Sequence, residues 1–231
     1  MPVLELLTSS GLGSLLGMRH AFEPDHLAAV STLVTRERSG YKAAWIGACW
    51  GLGHTASLLA VGAVLIVLRT EMTTGLSEIF EFCVALMLIA LGYKAVRRAV
   101  RQGASGPAQL HQHRHVVHVH PGVPAHVHLG RWTLARRPLL IGAVHGLAGS
   151  GALTALVLTT LPTTAARLAY ISLFGLGSTL GMAALSGVLG WPMARLGTNQ
   201  TMGRAMSLAV GCLSIGLGIV WGSPLLLRFW P

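Results

Sequence analysis

Six long apolar segments dominate this chain of 231 residues and restrict what it can fold into. Each is long enough to cross a bilayer, since a spanning helix needs about 20 mostly apolar residues. Hydrophobic residues make up 52% of the chain and charged residues only 10%, a balance outside that of ordinary soluble domains. The segments lie at 4–34, 42–69, 77–99, 138–161, 167–190 and 204–227. The pattern predicts an all-α integral membrane protein with six transmembrane helices.

Basic residues are distributed unequally between the two faces that six spans would create. One face collects thirteen, against three on the other, Arg69, Arg167 and Arg228. Because cytoplasmic loops carry the excess of Lys and Arg, the richer face is predicted to be cytoplasmic, with both termini outside the cell membrane. The formal charge of +10 is then mainly a topology signal. Nucleic-acid binding, the competing interpretation, is disfavoured because these charges flank apolar spans without interleaved aromatic residues.

An internal repeat organises the spans. Three pairs of segments match at offsets of 124 to 126 residues: 16–20 with 141–145, 51–55 with 175–179, and 84–92 with 210–218. Since each half contains three spans, the second half must cross the membrane in the opposite sense. The expected architecture is therefore two inverted three-helix repeats, residues 1–100 and 138–231, around a loop at 101–137. Such proteins place the substrate site near the midplane, where His20 and His145 would approach each other.

The first span contains an unusual group of ionisable residues: His20, Glu23, Asp25 and His26. Ionisable groups at membrane depth cost about 2.5–3.5 kcal/mol each on insertion scales, so a cluster indicates function. Imidazole suits nickel, cobalt, copper and zinc, and the carboxylates add compensating charge. We expect His20, Asp25 and His26 to bind a metal ion, with a weaker contribution from Glu23.

Pro24 lies in the middle of this group and is expected to kink or open the helix. Proline has no N–H to donate, and its ring clashes with the carbonyl four residues earlier, that of His20. In an unbroken helix His20 and His26 would point about 120° apart. A break at Pro24 would turn both toward one centre. The structural alternative is a kinked helix in which Arg19 pairs with Glu23 at i, i+4.

Two further histidines occupy the middle of other spans. His54 follows Gly53 in the second span, and His145 is the repeat counterpart of His20. Without water, each needs a partner: a metal, a carboxylate such as Asp25, or a helix carbonyl. Both are candidate ligands, and a satisfied structural histidine is the alternative for each.

The segment RHAFEPDHLAAV at 19–30 resembles the signature of the nickel/cobalt transporter family, in which four residues separate a histidine from an Asp-His pair. GLGHTASLL at 51–59 resembles the second signature of that family, with His54 and Thr55 as the His-Ser/Thr pair. HGLAGSGAL at 145–153 is similar to the six-helix branch of urease-accessory and high-affinity nickel-transport proteins. The resemblance implies Ni²⁺ as the transported ion, with Co²⁺ as a second candidate.

The chain departs from the eight-helix members of that family in its fifth span. Those members carry an acidic, His-containing version of the Gly-Leu-Gly element, whereas Gly175 to Thr179 contains neither His nor Asp. We therefore expect this element to serve helix packing.

The loop between the halves is rich in histidine. Seven of the eleven histidines fall within it, namely His111, His113, His115, His118, His120, His126 and His128. Such a composition cannot form a packed core and predicts a disordered cytoplasmic loop. Histidine tracts of this kind indicate weak, exchangeable metal sites that buffer or deliver the ion. A plain linker or a pH-responsive cationic loop remains an alternative.

Taken together, these features predict a membrane transporter of divalent transition metals, and not an enzyme. The predicted site combines His20, Asp25, His26 and His54 with His145 from the opposite half. No prosthetic group is expected, because the metal is the cargo. Uptake is the preferred direction. Efflux remains open, as does a non-transporting nickel chaperone for an enzyme such as urease. Expected partners are the lipid bilayer and a cytoplasmic nickel chaperone or urease maturation proteins.

Overall fold

The computed structural model describes residues 3–35, 37, 39–102, 112–113, 116–117, 126–129, 132–196 and 199–229. Seven helices make up most of this part of the chain. They are α1 (Val3–His20), α2 (Pro24–Val34), α3 (Gly40–Leu68), α4 (Thr74–Gln102), α5 (Arg136–Thr160), α6 (Thr164–Leu196) and α7 (Gln200–Phe229).

Four short strands are described in the segment before α5. They are β1 (Gln112–His113), β2 (Val116–Val117), β3 (His126–Leu129) and β4 (Trp132–Ala135). β1 pairs with β2, and β3 with β4, both antiparallel. Of the seven loop histidines, only three fall in these strands. His111, His115, His118 and His120 lie outside the described residues.

The break in the first apolar segment is the local feature that matters most for the site. α1 ends at His20, and α2 begins at Pro24 after Glu23, whose backbone is extended (φ −64°, ψ 149°). Proline is tolerated at the first position of a helix, where its missing N–H has no intrahelical partner to lose. The predicted break at Pro24 is therefore confirmed as an interruption of the helix.

Five helices in the described part of the chain, α3 to α7, are long and apolar enough to cross a membrane by length and composition. Their bounds extend those of the predicted second to sixth spans by a few residues at most ends. The first predicted span, 4–34, is not one continuous helix, because the break divides it into helices of 18 and 11 residues.

Helix packing is arranged around α3, which lies against both α5 and α6. α1 packs on α6, and α4 packs on α7. The closest approaches occur at glycines that come in reciprocal pairs. A Cβ at Gly17 would collide with the carbonyl of Phe174, and a Cβ at Gly142 with the carbonyl of Trp50. Small residues at such points let helix backbones approach closely within a bilayer.

The crossing of α3 and α6 is fixed by hydroxyl groups. Thr55 Oγ1 donates to the carbonyl of Gly175 at 2.8 Å and lies 2.9 Å from Thr179 Oγ1. Gly175 makes room for Thr55, because a Cβ there would collide with the threonine methyl. The element from Gly175 to Thr179 thus packs against α3, as expected from its lack of ligand side chains.

Candidate metal centre

Four helices bring the predicted site residues together. His20 ends α1, Asp25 and His26 lie in the first turn of α2, His54 lies on α3, and His145 lies on α5. His54 is the central residue of α3, fourteen residues from each end, so at 1.5 Å per residue it lies about 21 Å from either terminus. The centre is therefore at the mid-depth of the helix that is central to the packing.

Asp25 is the hub of the buried part of the centre. Its Oδ1 accepts the backbone N–H of His26 at 2.9 Å and the His26 ring Nδ1–H at 3.0 Å. Its Oδ2 accepts Nε2–H of His145 at 2.7 Å. All three side chains are buried. The carboxylate therefore holds two imidazoles from different helices in fixed orientations, the arrangement that commonly orients histidines for metal binding.

His20 and His54 form the second part of the centre. Their Nε2 atoms lie 3.4 Å apart. Two imidazole nitrogens that bind one metal at about 2.0–2.1 Å, in a tetrahedral arrangement, lie roughly 3.3 Å from each other. The opposite nitrogen of His20, Nδ1, lies 2.9 Å from Glu23 Oε1. Glu23 thus orients His20 as Asp25 orients His26.

The described residues offer two overlapping sets of metal ligands. One contains His20, His26 and His54, and the other contains Asp25, His26 and His145. In each set, one potential ligand atom per residue lies within 4.8 Å of the others. His26 belongs to both sets. The two sets are therefore adjacent positions around one shared imidazole.

Several buried ring nitrogens have no hydrogen-bond partner among the described residues. They are Nε2 of His26, Nδ1 of His54 and Nδ1 of His145. Because His26 Nδ1 and His145 Nε2 donate to Asp25, a neutral ring leaves the opposite nitrogen with a lone pair. A buried polar atom without a partner costs free energy, and a cation bound with His20 and His54 would satisfy Nε2 of His26. This unpartnered nitrogen thus fits a divalent metal beside the His20 and His54 pair.

A cavity of about 160 Å³ adjoins the centre. It is lined by His20, Glu23, Asp25, His26, His145, Ala148, Gly149 and Trp221. Glu23 and Trp221 are the large side chains of this lining that are exposed, so the cavity opens between them. His54 does not line the cavity and is fully buried behind it. An ion that enters would meet Glu23 and His20 before His54.

Aromatic walls enclose the imidazoles, and none of the sequence predictions included them. The Trp50 ring centroid lies 5.4 Å from that of His26 and 5.6 Å from that of His145. Phe174 lies 5.4 Å from His20. Trp50 and Phe174 are separated by 124 residues, the offset of the repeat. Extending the repeat alignment one helical turn before His54 would have found both.

All six intramembrane residues predicted for the site therefore meet at one centre. The structural alternative for Glu23 is wrong: its carboxylate pairs with His20 rather than Arg19. The helix ends at His20, so Arg19 and Glu23 no longer share a continuous helical face at i, i+4. Arg19 is exposed instead.

Fold and centre together define a helical membrane protein with a cluster of histidines and carboxylates at the mid-depth of its central helix. The sequence model of the high-affinity nickel-transport protein family (NicO) matches residues 6–222. The chain belongs to this family. It is accordingly a multi-pass membrane protein rather than an enzyme, as the sequence analysis predicted.

Three curated relatives are similar over most of this chain. The urease accessory protein UreH of Bacillus sp. (strain TB-90) is 32% identical over 220 residues, which cover 95% of this chain and 92% of that protein. Two chloroplast proteins of Arabidopsis thaliana, FOR GROWTH AND FERTILITY 2 and 1, are 25% and 28% identical. The chain spans only 56% and 50% of their lengths. No solved structure matches the chain.

Proposed function

We propose that this protein carries Ni²⁺, with Co²⁺ as a second substrate, across the cell membrane through the His/Asp centre. The observation that carries the proposal is the meeting of His20, Asp25, His26, His54 and His145 at mid-depth, with the buried Nε2 of His26 unpartnered. Imidazole-rich sites suit nickel, cobalt and zinc alike. Family membership favours nickel among them.

The two ligand sets suggest how an ion is held and passed on. The first position uses His20, His26 and His54, with Asp25 behind His26 to fix its ring and supply negative charge. The second position uses Asp25 and His145 beside the same His26. The ion would replace the Nε2 proton that His145 donates to Asp25, and this proton would move to the unpartnered Nδ1 of the same ring. An ion can move between them while remaining bound to His26. Such a step avoids complete loss of ligands in a region without bulk water.

The inverted repeat supplies a mechanism for access from both sides. Reciprocal packing supports this mechanism. The contact of Gly17 with Phe174 corresponds to that of Gly142 with Trp50, and the contact of Gly53 with Leu139 corresponds to that of Gly177 with Ser14. All four positions of one half correspond to those of the other at offsets of 124 or 125. We count α1 and α2 as one interrupted span, giving six. Rocking of the two halves about the centre would then open the centre to one side of the membrane and to the other in turn.

Orientation follows from the basic residues, thirteen on one face against three on the other. It places both termini outside and the 101–137 loop in the cytoplasm. In that position the seven loop histidines would receive Ni²⁺ released from the centre and buffer it. The relative named as a urease accessory protein supports a supply of nickel to urease, through maturation proteins or a nickel chaperone.

Flux into liposomes that contain a metal-sensitive dye tests the proposal. Wild-type protein should carry Ni²⁺ and, more slowly, Co²⁺, whereas Asp25→Asn and His54→Ala should lose most of the flux. Ser214→Ala is the matched control, because its buried hydroxyl bonds the Leu88 carbonyl between α4 and α7, away from the centre. That variant should retain flux.

The flux assay, together with a measurement of nickel in cells that express the protein, separates the alternatives. Nickel binding without flux would identify a chaperone and reject transport. Cells that lose nickel on expression of the protein would reverse the direction to efflux. Zn²⁺ carried in preference to Ni²⁺ would overturn the assignment of the metal.

A further inference from the structure

One face of α1 is uncovered and carries a charge. Gly17 and its neighbours on the same side pack against α6, the main helix that α1 contacts. At 100° per residue, the opposite side of α1 carries Leu12, Leu15, Leu16 and Arg19. All four are exposed. We call these four residues the α1 outer face.

Arg19 on this face lies at mid-depth of the bundle. Gly17 before it meets the carbonyl of Phe174, and Ala21 after it meets Gly181. Both contacts lie near residue 180, the midpoint of α6. The Arg19 side chain has no hydrogen bond or ion pair with any of the described residues. Left in lipid at this depth, an arginine costs about 2.5–3.5 kcal/mol or more.

Glu23 carries a complementary charge four residues after Arg19 in the sequence, but it is not paired with Arg19 within the chain. Its Oε1 lies on His20, and its side chain remains 52% exposed. The other carboxylate oxygen has no partner among the described residues. The end of α1 at His20 separates Glu23 from the helical face of Arg19.

No other acidic residue of the chain can serve at that depth. The chain has seven acidic residues. Asp25 is buried, with both oxygens occupied by His26 and His145. The remaining five lie near helix ends or in connections: Glu5, Glu37, Glu71, Glu78 and Glu81.

We propose that a second copy of this chain covers the α1 outer face, with Arg19 of each copy ion-paired to the partner's Glu23. A two-fold interface brings the same surface of both copies together, so it needs a self-complementary patch. The α1 outer face and the adjacent Glu23 supply a cation and an anion a few residues apart, with leucines beside them. This interface does not depend on which metal the protein carries.

The dimer would also complete each centre. Glu23 orients His20 and lies at the opening of the cavity. Arg19 of the partner would hold the second oxygen of Glu23 and keep the carboxylate on His20. Each copy then contributes a positioning residue to the site of the other.

Charge reversal in two co-expressed, differently tagged copies tests the pairing. Arg19→Glu alone places two carboxylates at each contact, and Glu23→Arg alone places two cations there. Association of like copies, measured by recovery of the second tag from nanodiscs, should fall about tenfold or more. Co-expression of Arg19→Glu with Glu23→Arg restores both contacts, so recovery should return to the wild-type level.

This complementation distinguishes the dimer from an ion pair within one chain, which mixed copies could not restore. Failure of the mixed pair to associate, with each variant monodisperse in detergent, would overturn the proposal. So would wild-type protein that bleaches in single steps in nanodiscs. Labelling of Arg19→Cys in such a monomer by a water-soluble thiol reagent would instead make the α1 outer face part of an aqueous path.

A cysteine cross-link gives a second measurement that does not depend on charge reversal. The exposed native cysteines Cys83 and Cys212 are first replaced by alanine. Leu15→Cys should then form a disulfide-linked dimer in native membranes when a membrane-permeant oxidant such as iodine is added, which takes up the two electrons released by the thiols. Leu213→Cys on α7 is the matched control, since the two leucines are 63% and 64% exposed. Equal cross-linking of both would reduce the result to random collision and reject the interface.

Discussion

The two repeats match up to His20 and His145, but the segments that follow these two histidines fold differently. After His20 the chain breaks, and Asp25 and His26 lie in the first turn of a new helix. After His145 the helix α5 continues unbroken to Thr160. At an offset of 125, Pro24 corresponds to Gly149, Asp25 to Ser150 and His26 to Gly151.

The polar groups of the two segments have different partners as a result. Ser150 is buried and donates to the carbonyl of Leu147 in its own helix, at 2.6 Å. Asp25, its counterpart, accepts hydrogen bonds from His26 and from His145 on another helix. In the unbroken helix the polar side chain therefore bonds its own backbone, whereas after the break it bonds side chains of the site. The helix break decides which of these two arrangements forms. Matched substitutions in the two segments test this conclusion.

The largest effect is expected for Asp25→Asn. An amide removes the negative charge and cannot accept both imidazole N–H groups as strongly, so the affinity for Ni²⁺ should fall about 100-fold. Isothermal titration calorimetry of the purified protein measures this change. Ser150→Ala, the substitution at the corresponding position, should leave the affinity nearly unchanged. A comparable loss in both variants would contradict the assigned difference.

The break itself is tested by Pro24→Ala. Alanine permits a continuous helix, which would draw Asp25 and His26 away from the centre, so Ni²⁺ affinity should fall about tenfold. Gly149→Ala is the mirror variant. A Cβ there would lie 3.8 Å from His20 Nε2, an ordinary contact, and should be tolerated. If Pro24→Ala binds nickel as the wild type does, the break is not required.

The aromatic walls predict a smaller difference. Trp50 is fully buried against both His26 and His145, whereas Phe174 is partly buried and, among the described imidazoles, contacts His20. Trp50→Leu should therefore raise the Kd for nickel about fivefold, and Phe174→Leu less. Competition with a chromogenic chelator measures both. A larger increase in Kd for Phe174→Leu than for Trp50→Leu would show that the aromatic wall at His20 contributes more to nickel binding.

The smallest effect on binding is expected at the crossing of α3 and α6. Thr55→Val removes two hydrogen bonds and should lower the free energy of unfolding by roughly 1–2 kcal/mol, with nickel affinity unchanged. Thr179→Val removes only the shared one and should cost about half as much. Thermal unfolding in nanodiscs measures the change. Equal destabilisation would mean that the bond to the Gly175 carbonyl contributes little.

Much of the fold was predictable because a bilayer makes the rules strict. Apolar length located five of the helices within a few residues, and Pro24 predicted the interruption of the first. The six site residues could be selected because ionisable side chains are costly in such segments. The presence of ionisable side chains in apolar segments, rather than their spacing in the sequence, allowed these residues to be predicted.

What could not be predicted depends on contacts between distant parts of the chain. The i, i+4 rule joined Arg19 to Glu23, but it assumes a continuous helix, and Pro24 removes that condition. Trp221 lines the cavity from α7, nearly 200 residues beyond His26 along the chain. Nothing local to Trp221 marks it. The use of both nitrogens of His26 likewise follows only from the position of Asp25.

The hydrogen bond between Thr55 and Thr179 has a consequence for any exchange of conformations. The two residues hold corresponding positions in the two halves, so on the proposed axis their bond is a fixed point. Residues that lie on the rotation axis move least when the two halves rock. Spectroscopic labels near Thr55 should therefore report the same distances in both states, while labels near Trp221 should not. The hydrogen bond between Thr55 and Thr179 can therefore persist in both states without restricting the rocking of the two halves.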